Sequence, residues 1–74
     1  MNLSDLKEQE RGNIIALRLS KQDAKRLFYL GVYPGAILQF VQCAPCHDPL
    51  LFYVQGAFLI MRRKDAKRVE VERI

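Results

Sequence analysis

The 74-residue sequence is short of the features that mark secreted, membrane and metal-rich proteins. It has two cysteines, too few for the disulfide framework of a small secreted domain. The longest apolar segment, residues 50–61, is interrupted by Gln55 and Gly56 and is shorter than the roughly 20 residues that span a bilayer. The N-terminus lacks the basic and apolar segments of an export signal. These absences predict one domain over residues 1–74, a cytoplasmic location and no direct membrane insertion.

The charge balance is moderately basic. Lys and Arg number 12 against 8 Asp and Glu, which gives a net charge of +4. Basic residues concentrate in residues 21–26 and from Arg62 onward, but acidic residues are interspersed in both segments. Mixed signs are typical of a solvated surface rather than of a phosphate-binding track. A nucleic-acid-binding barrel is therefore the less favoured alternative, which would show steeply salt-dependent binding.

Apolar residues at period two predict five short strands, over residues 12–19, 36–43, 50–55, 57–62 and 69–71. Ser20, followed three residues later by Asp23, is typical of a helix N-terminus, and Gly31 is typical of a helix C-terminus. One helix is therefore expected between the first two strands. Short strands and tight turns in so small a chain predict a mainly β fold that closes as a barrel, because closure protects strand edges.

Apolar spacing also predicts which side chains enter the core. Leu3 and Leu6 are expected to pack under the first strand. In the helix, Ala24, Leu27 and Phe28 share one apolar face.

The predicted hairpin around Gly56 is apolar on both faces. A sheet with one solvated face normally alternates apolar and polar residues. Either another part of the chain covers the outer face, or that face binds another protein. The outer positions, which are candidate partner-binding residues, are Leu51, Tyr53, Phe58 and Ile60.

The helix offers a second candidate partner-binding surface, suited to an acidic partner. Its alternative is an ordinary solvated helix face. The residues concerned are Lys21, Lys25, Arg26 and Tyr29.

Residues 43–47 form a C-x-x-C-H pattern, which is typical of covalent haem attachment. Haem is disfavoured because no export signal precedes it and no apolar pocket is evident. Cys43, Cys46 and His47 offer three ligands where a structural zinc needs four, and there is no other His or Cys. A zinc or ferrous iron site would therefore need a second copy of the chain, as a homo-oligomer. The alternative is that both cysteines are small loop residues and that the chain has no cofactor.

No catalytic constellation is recognisable. The sequence has no glycine-rich phosphate loop, and His47 has cysteines and Asp48 beside it but no third orienting group. A barrel of this size offers little cleft, so the chain is not expected to be an enzyme.

Several short motifs follow one another in a characteristic order: Arg26-Leu27, Leu30-Gly31, Pro34-Gly35, Ala44-Pro45, Asp48-Pro49, Gly56, Met61-Arg62 and Ala66, then Val69 and Val71. In this order they resemble the FeoA family (ferrous iron transport protein A), over nearly the whole chain. The sequence departs from the family at His47 and Gln9, where glycine is common.

The resemblance implies an SH3-like barrel of five short strands, with one α-helix between the first two, in the bacterial cytoplasm. It also implies an accessory role in ferrous iron uptake. The implied partner is a FeoB-type transporter, a membrane protein with a cytosolic GTP-binding domain, which the barrel would bind and modulate.

Overall fold

Five antiparallel strands form one sheet in the order β4-β3-β2-β1-β5. The structure is a computed structural model that describes residues 1–74 without a gap. Its elements, after a 3₁₀ turn at Leu3–Asp5, are β1 (Arg11–Leu17), α1 (Lys21–Tyr29), β2 (Ile37–Cys43), β3 (Leu50–Val54), β4 (Ala57–Met61), α2 (Arg63–Ala66) and β5 (Val69–Arg73). The predicted mainly β architecture, with one helix between the first two strands, is confirmed.

The helix α1 begins and ends where the sequence indicates. The Ser20 hydroxyl accepts a hydrogen bond from the Asp23 backbone N–H at 3.2 Å, which caps the first turn. Gly31, at φ +94°, follows the C-terminus in the left-handed conformation that glycine adopts without strain. Neither α1 nor α2 is long and apolar enough to cross a membrane.

Phe28 does not face the core, although it shares the apolar face of α1 with Leu27. Leu27 is the one buried residue of α1, and Phe28 is 56% exposed. Because successive helix residues point about 100° apart, a helix that directs Leu27 at the sheet turns Phe28 aside. The Phe28 ring lies instead on the surface, with its centroid 5.4 Å from that of Tyr33 and 6.0 Å from that of Tyr29.

The core lies on one side of the sheet and contains only apolar side chains. As predicted, Leu3 and Leu6 are buried in it, and the β3–β4 hairpin contributes Leu50, Phe52, Val54 and Met61. Fifteen buried residues make up this single cluster: Leu3, Leu6, Ile14, Leu27, Val32, Ala36, Leu38, Phe40, Leu50, Phe52, Val54, Met61, Ala66, Val69 and Val71.

Two irregularities interrupt the strand pairing, and the two edges of the sheet differ. The register shifts between Ile14 and Ala16 in β1 and between Phe40 and Gln42 in β2, as β-bulges do. At the β5 edge, the Val71 N–H donates to the Met1 carbonyl at 2.8 Å, so the N-terminus covers part of that edge. The β4 edge has no neighbouring strand beyond β3.

Candidate interaction surfaces and the cysteine loop

The outer face of the β3–β4 hairpin is open to solvent. Phe58 and Ile60 on β4 are each 68% exposed and Tyr53 on β3 is 40% exposed, while Leu51 is half-buried. The pairing sets Leu51 opposite Ile60 and Tyr53 opposite Phe58. The Tyr53 and Phe58 rings meet edge to face, with centroids 5.3 Å apart. One explanation for a hairpin that is apolar on both faces was that another part of the chain covers its outer face. The exposure of Phe58 and Ile60 excludes that explanation.

This apolar surface continues onto β2. Ile37 is 48% exposed and lines the same shallow depression as Tyr53, with Arg11 and Gln39 at its margin. Ile37 is not among the predicted partner-binding residues, although it shares the outward parity of Gln39 in its strand. We call the five residues the hairpin face: Ile37, Leu51, Tyr53, Phe58 and Ile60.

The cysteine loop between β2 and β3 is closed by its own backbone. The Ala44 N–H donates to the Pro49 carbonyl at 3.0 Å, and the His47 N–H donates to the Ala44 carbonyl at 2.8 Å. The backbone at His47 has φ +65°, a left-handed conformation that costs a non-glycine residue energy. Gln9, at φ +69°, is in the same region. At Gln9 and His47 the family resemblance implies glycine. The backbone at both positions has the conformation that glycine favours, although the residues are larger.

The loop is also tied to the start of α2. The Asp48 carboxylate accepts a hydrogen bond from the Arg63 backbone N–H at 2.9 Å. The Arg63 side chain donates from Nε to the His47 carbonyl at 2.9 Å. These bonds hold Cys46 and His47 at one end of the barrel, next to α2.

The three predicted metal ligands are only partly brought together. Cys43 Sγ lies 3.9 Å from His47 Nδ1, while Cys46 is exposed on the same loop. No three His, Cys, Asp or Glu side chains in the chain are arranged to hold one ion. Because a structural zinc site needs four ligands, the donors of one chain make at most part of a site.

The helix residues predicted as a basic surface lie on two different sides of α1. Lys21, Lys25 and Tyr29 line an open groove between the helix and the turn that contains Tyr33. Arg26 faces away from this groove and forms an ion pair with Asp23 at 3.3 Å. We call the depression the helix groove; its lining includes Leu17, Lys21, Lys25, Phe28, Tyr29 and Tyr33.

A small antiparallel barrel with one helix after the first strand is the architecture of an SH3-like protein. The solution structure of the FeoA protein from Chlorobium tepidum has this fold: it is 34% identical, with a TM-score of 0.91 over 96% of this chain and 68% of that one. The crystal structure of Stenotrophomonas maltophilia FeoA complexed with zinc, described as a prokaryotic SH3 domain protein, is 32% identical, with a TM-score of 0.79, over 97% of this chain and 89% of that one.

The FeoA domain model matches residues 1–73, and the chain belongs to this family. A curated relative, the Fe(2+) transport protein A/Fe(2+) transporter FeoB fusion protein of Porphyromonas gingivalis, is 32% identical over 74 residues. The match covers all of this chain but 9% of that protein, so the chain spans under a tenth of its relative's length. The family and the SH3-like barrel that the sequence resemblance implied are thereby confirmed.

Proposed function

We propose that this chain is a non-enzymatic accessory protein of bacterial ferrous iron uptake, which acts in the cytoplasm by binding the cytosolic part of a FeoB-type transporter. The observation that carries the proposal is the P. gingivalis relative, which is a fusion of Fe(2+) transport protein A and FeoB. A covalent link gives two modules a high effective concentration for each other. Where the two modules are separate chains, a binding surface has to replace that link.

The hairpin face supplies the chemistry for such a surface. Its exposed aromatic side chains, Tyr53 and Phe58, are of residue types enriched in protein interfaces, and Ile37 and Ile60 extend the apolar surface around them. A contact of this kind modulates transport if the barrel binds one conformation of the transporter more tightly than another. Ferrous iron is then the cargo of the transporter, and the barrel acts by contact.

A pull-down with the purified cytosolic domain of the FeoB-type transporter tests the proposal. Ile60→Ser should reduce the captured fraction strongly, because the substitution removes an apolar contact from the hairpin face. Ile74→Ser is the matched control, since Ile74 is similarly exposed, at 63% against 68%, but lies outside that face. Absence of binding by the wild type, or equal capture of both variants, would contradict the proposal.

A zinc or ferrous iron site shared by two chains is a second candidate function. The distance of 3.9 Å between Cys43 Sγ and His47 Nδ1 supports it, since a tetrahedral zinc bonds sulfur at about 2.3 Å and nitrogen at about 2.0 Å. The zinc complex of the S. maltophilia relative adds support. In such a site Cys43, Cys46 and His47 would be the ligands, and the second chain would complete the coordination.

Equilibrium dialysis with Zn²⁺ and with Fe²⁺, combined with sedimentation analysis, tests the shared site. Wild-type protein should bind one ion per two chains and dimerise as it does so, and Cys43→Ser and Cys46→Ser should abolish both effects. Metal binding that survives both substitutions would place the ion elsewhere.

A further inference from the structure

The helix groove is the largest depression that the proposed function does not use, and it is open to solvent. Its volume is about 490 Å³, roughly twice the 240 Å³ of the cleft beside Cys43. The floor is apolar and comes from separate segments: Leu17 at the end of β1, Ala24 and Phe28 on α1, and Pro34 in the turn before β2. Because the rings of Phe28 and Tyr29 stay more than half exposed, this apolar surface is not covered within the chain.

The rim of the helix groove carries positive charge without compensation. Lys21 and Lys25 are four residues apart on one helix face, where like charges repel. No acidic side chain lies within ion-pair distance of either lysine, and none lines the groove.

Three arginines elsewhere on the surface form ion pairs, whereas Lys21 and Lys25, like the seven remaining basic side chains, form none. Arg18 pairs with Glu70, Arg26 with Asp23 and Arg73 with Glu10. What singles out Lys21 and Lys25 is their position beside the exposed aromatic side chains of the groove, Phe28 and Tyr29.

We propose that the helix groove binds a short acidic peptide segment of a partner protein. One or two apolar side chains of the segment pack on the floor beside Phe28 and Tyr33, and its carboxylates contact Lys21 and Lys25. Burial of apolar surface supplies affinity, and the lysines select for acidic sequences over neutral or basic ones. The proposal is independent of the hairpin face and holds whichever protein carries the segment.

A peptide fits the helix groove better than a nucleic acid does. Single-stranded nucleic acids need a basic path that follows several successive phosphates. Within the groove lining only Lys21 and Lys25 are basic, and the next basic residue along the helix, Arg26, points to the other side and is paired. The groove places two positive charges next to a short apolar floor. Its extent suits a segment of a few peptide residues.

The experiment is a titration of ¹⁵N-labelled protein, followed by amide chemical shifts. The probes are a blocked peptide of about eight residues alternating Glu and Leu, the same peptide with every Glu replaced by Lys, and a single-stranded oligonucleotide of similar length. The Glu–Leu peptide should shift the amides of Ala24, Lys25, Phe28, Tyr29 and Tyr33. The Lys–Leu peptide and the oligonucleotide should leave these amides unchanged.

Charge reversal provides the matched control. Lys21→Glu/Lys25→Glu should weaken binding of the Glu–Leu peptide by about tenfold or more. Lys64→Glu/Lys67→Glu changes the net charge equally at two exposed lysines of the α2 region and should leave binding unchanged. The proposal is overturned if the peptide shifts no groove amide, if both double variants lose affinity equally, or if the oligonucleotide binds the groove instead. Since this test involves no transporter, its failure is distinguishable from failure of the pull-down.

Discussion

The Asp48 carboxylate caps the helix α2 from a distance of fifteen residues in sequence, by accepting the Arg63 backbone N–H at 2.9 Å. The residue at the N-cap position itself, Arg62, makes no side-chain cap. One hydrogen bond thus satisfies an otherwise unpaired donor and joins the cysteine loop to the start of the segment that leads into β5.

Replacement of Asp48 by alanine should lower the stability of the barrel. Loss of a helix-capping carboxylate costs about 1 kcal/mol, within a range of about 0.5 to 2 kcal/mol. For a domain of this size, about 1 kcal/mol corresponds to a fall in Tm of about 4–8 °C. Calorimetry of Asp48→Ala against Glu72→Ala, an exposed acid without a side-chain hydrogen bond, checks the expectation. Equal Tm values for the two variants would mean that Asp48 does not hold the loop.

The left-handed backbone at His47 predicts opposite effects of two substitutions. His47→Gly should leave the protein as stable or stabilise it by up to about 1 kcal/mol, because glycine adopts φ +65° without a Cβ clash. His47→Val should destabilise it by more than about 1 kcal/mol, since a β-branched residue is strained there. Urea unfolding of both variants measures the difference. A valine variant as stable as the wild type would contradict the backbone assignment.

The two faces of the hairpin should respond differently to removal of an aromatic ring. Phe52 is fully buried, so Phe52→Ala should cost about 3–5 kcal/mol, enough to unfold much of a small domain. Phe58→Ala should cost at most about 1 kcal/mol, since the ring is 68% exposed and loses mainly its edge-to-face contact with Tyr53. Circular dichroism during urea unfolding separates the two. Equal destabilisation would imply that the outer face is covered.

The sequence predicts the strands because their inward residues alternate at period two, and it predicts α1 from Ser20 and Gly31. The sequence also draws attention to Gln9 and His47, because each stands where glycine is common in the family. The structure shows a left-handed backbone at both residues. The direction of Phe28 is not predictable in this way. The apolar stripe of α1 is wide enough to face either the sheet or the turn at Tyr33, and only the packing of Leu27 decides between them.

The sequence indicates Lys21, Lys25 and Tyr29 of the helix groove, but its apolar floor is not predictable for a related reason. Leu17 and Tyr33 are distant in sequence, and both line the groove beside α1 only after β1 and β2 have paired. No local sequence pattern therefore predicts their position. The separation of Arg26 from Lys21 and Lys25 likewise depends on how the helix is rotated against the sheet.

Isothermal titration calorimetry with the transporter's cytosolic domain tests the central claim most directly. Wild-type protein should bind, and the Tyr53→Ala/Phe58→Ala double variant should bind at least about tenfold more weakly, because two adjacent aromatic anchors are lost. Circular dichroism must first show that the variant is folded. Unchanged affinity of a folded double variant would contradict the assignment of the hairpin face, and absence of any wild-type binding would contradict the proposed function.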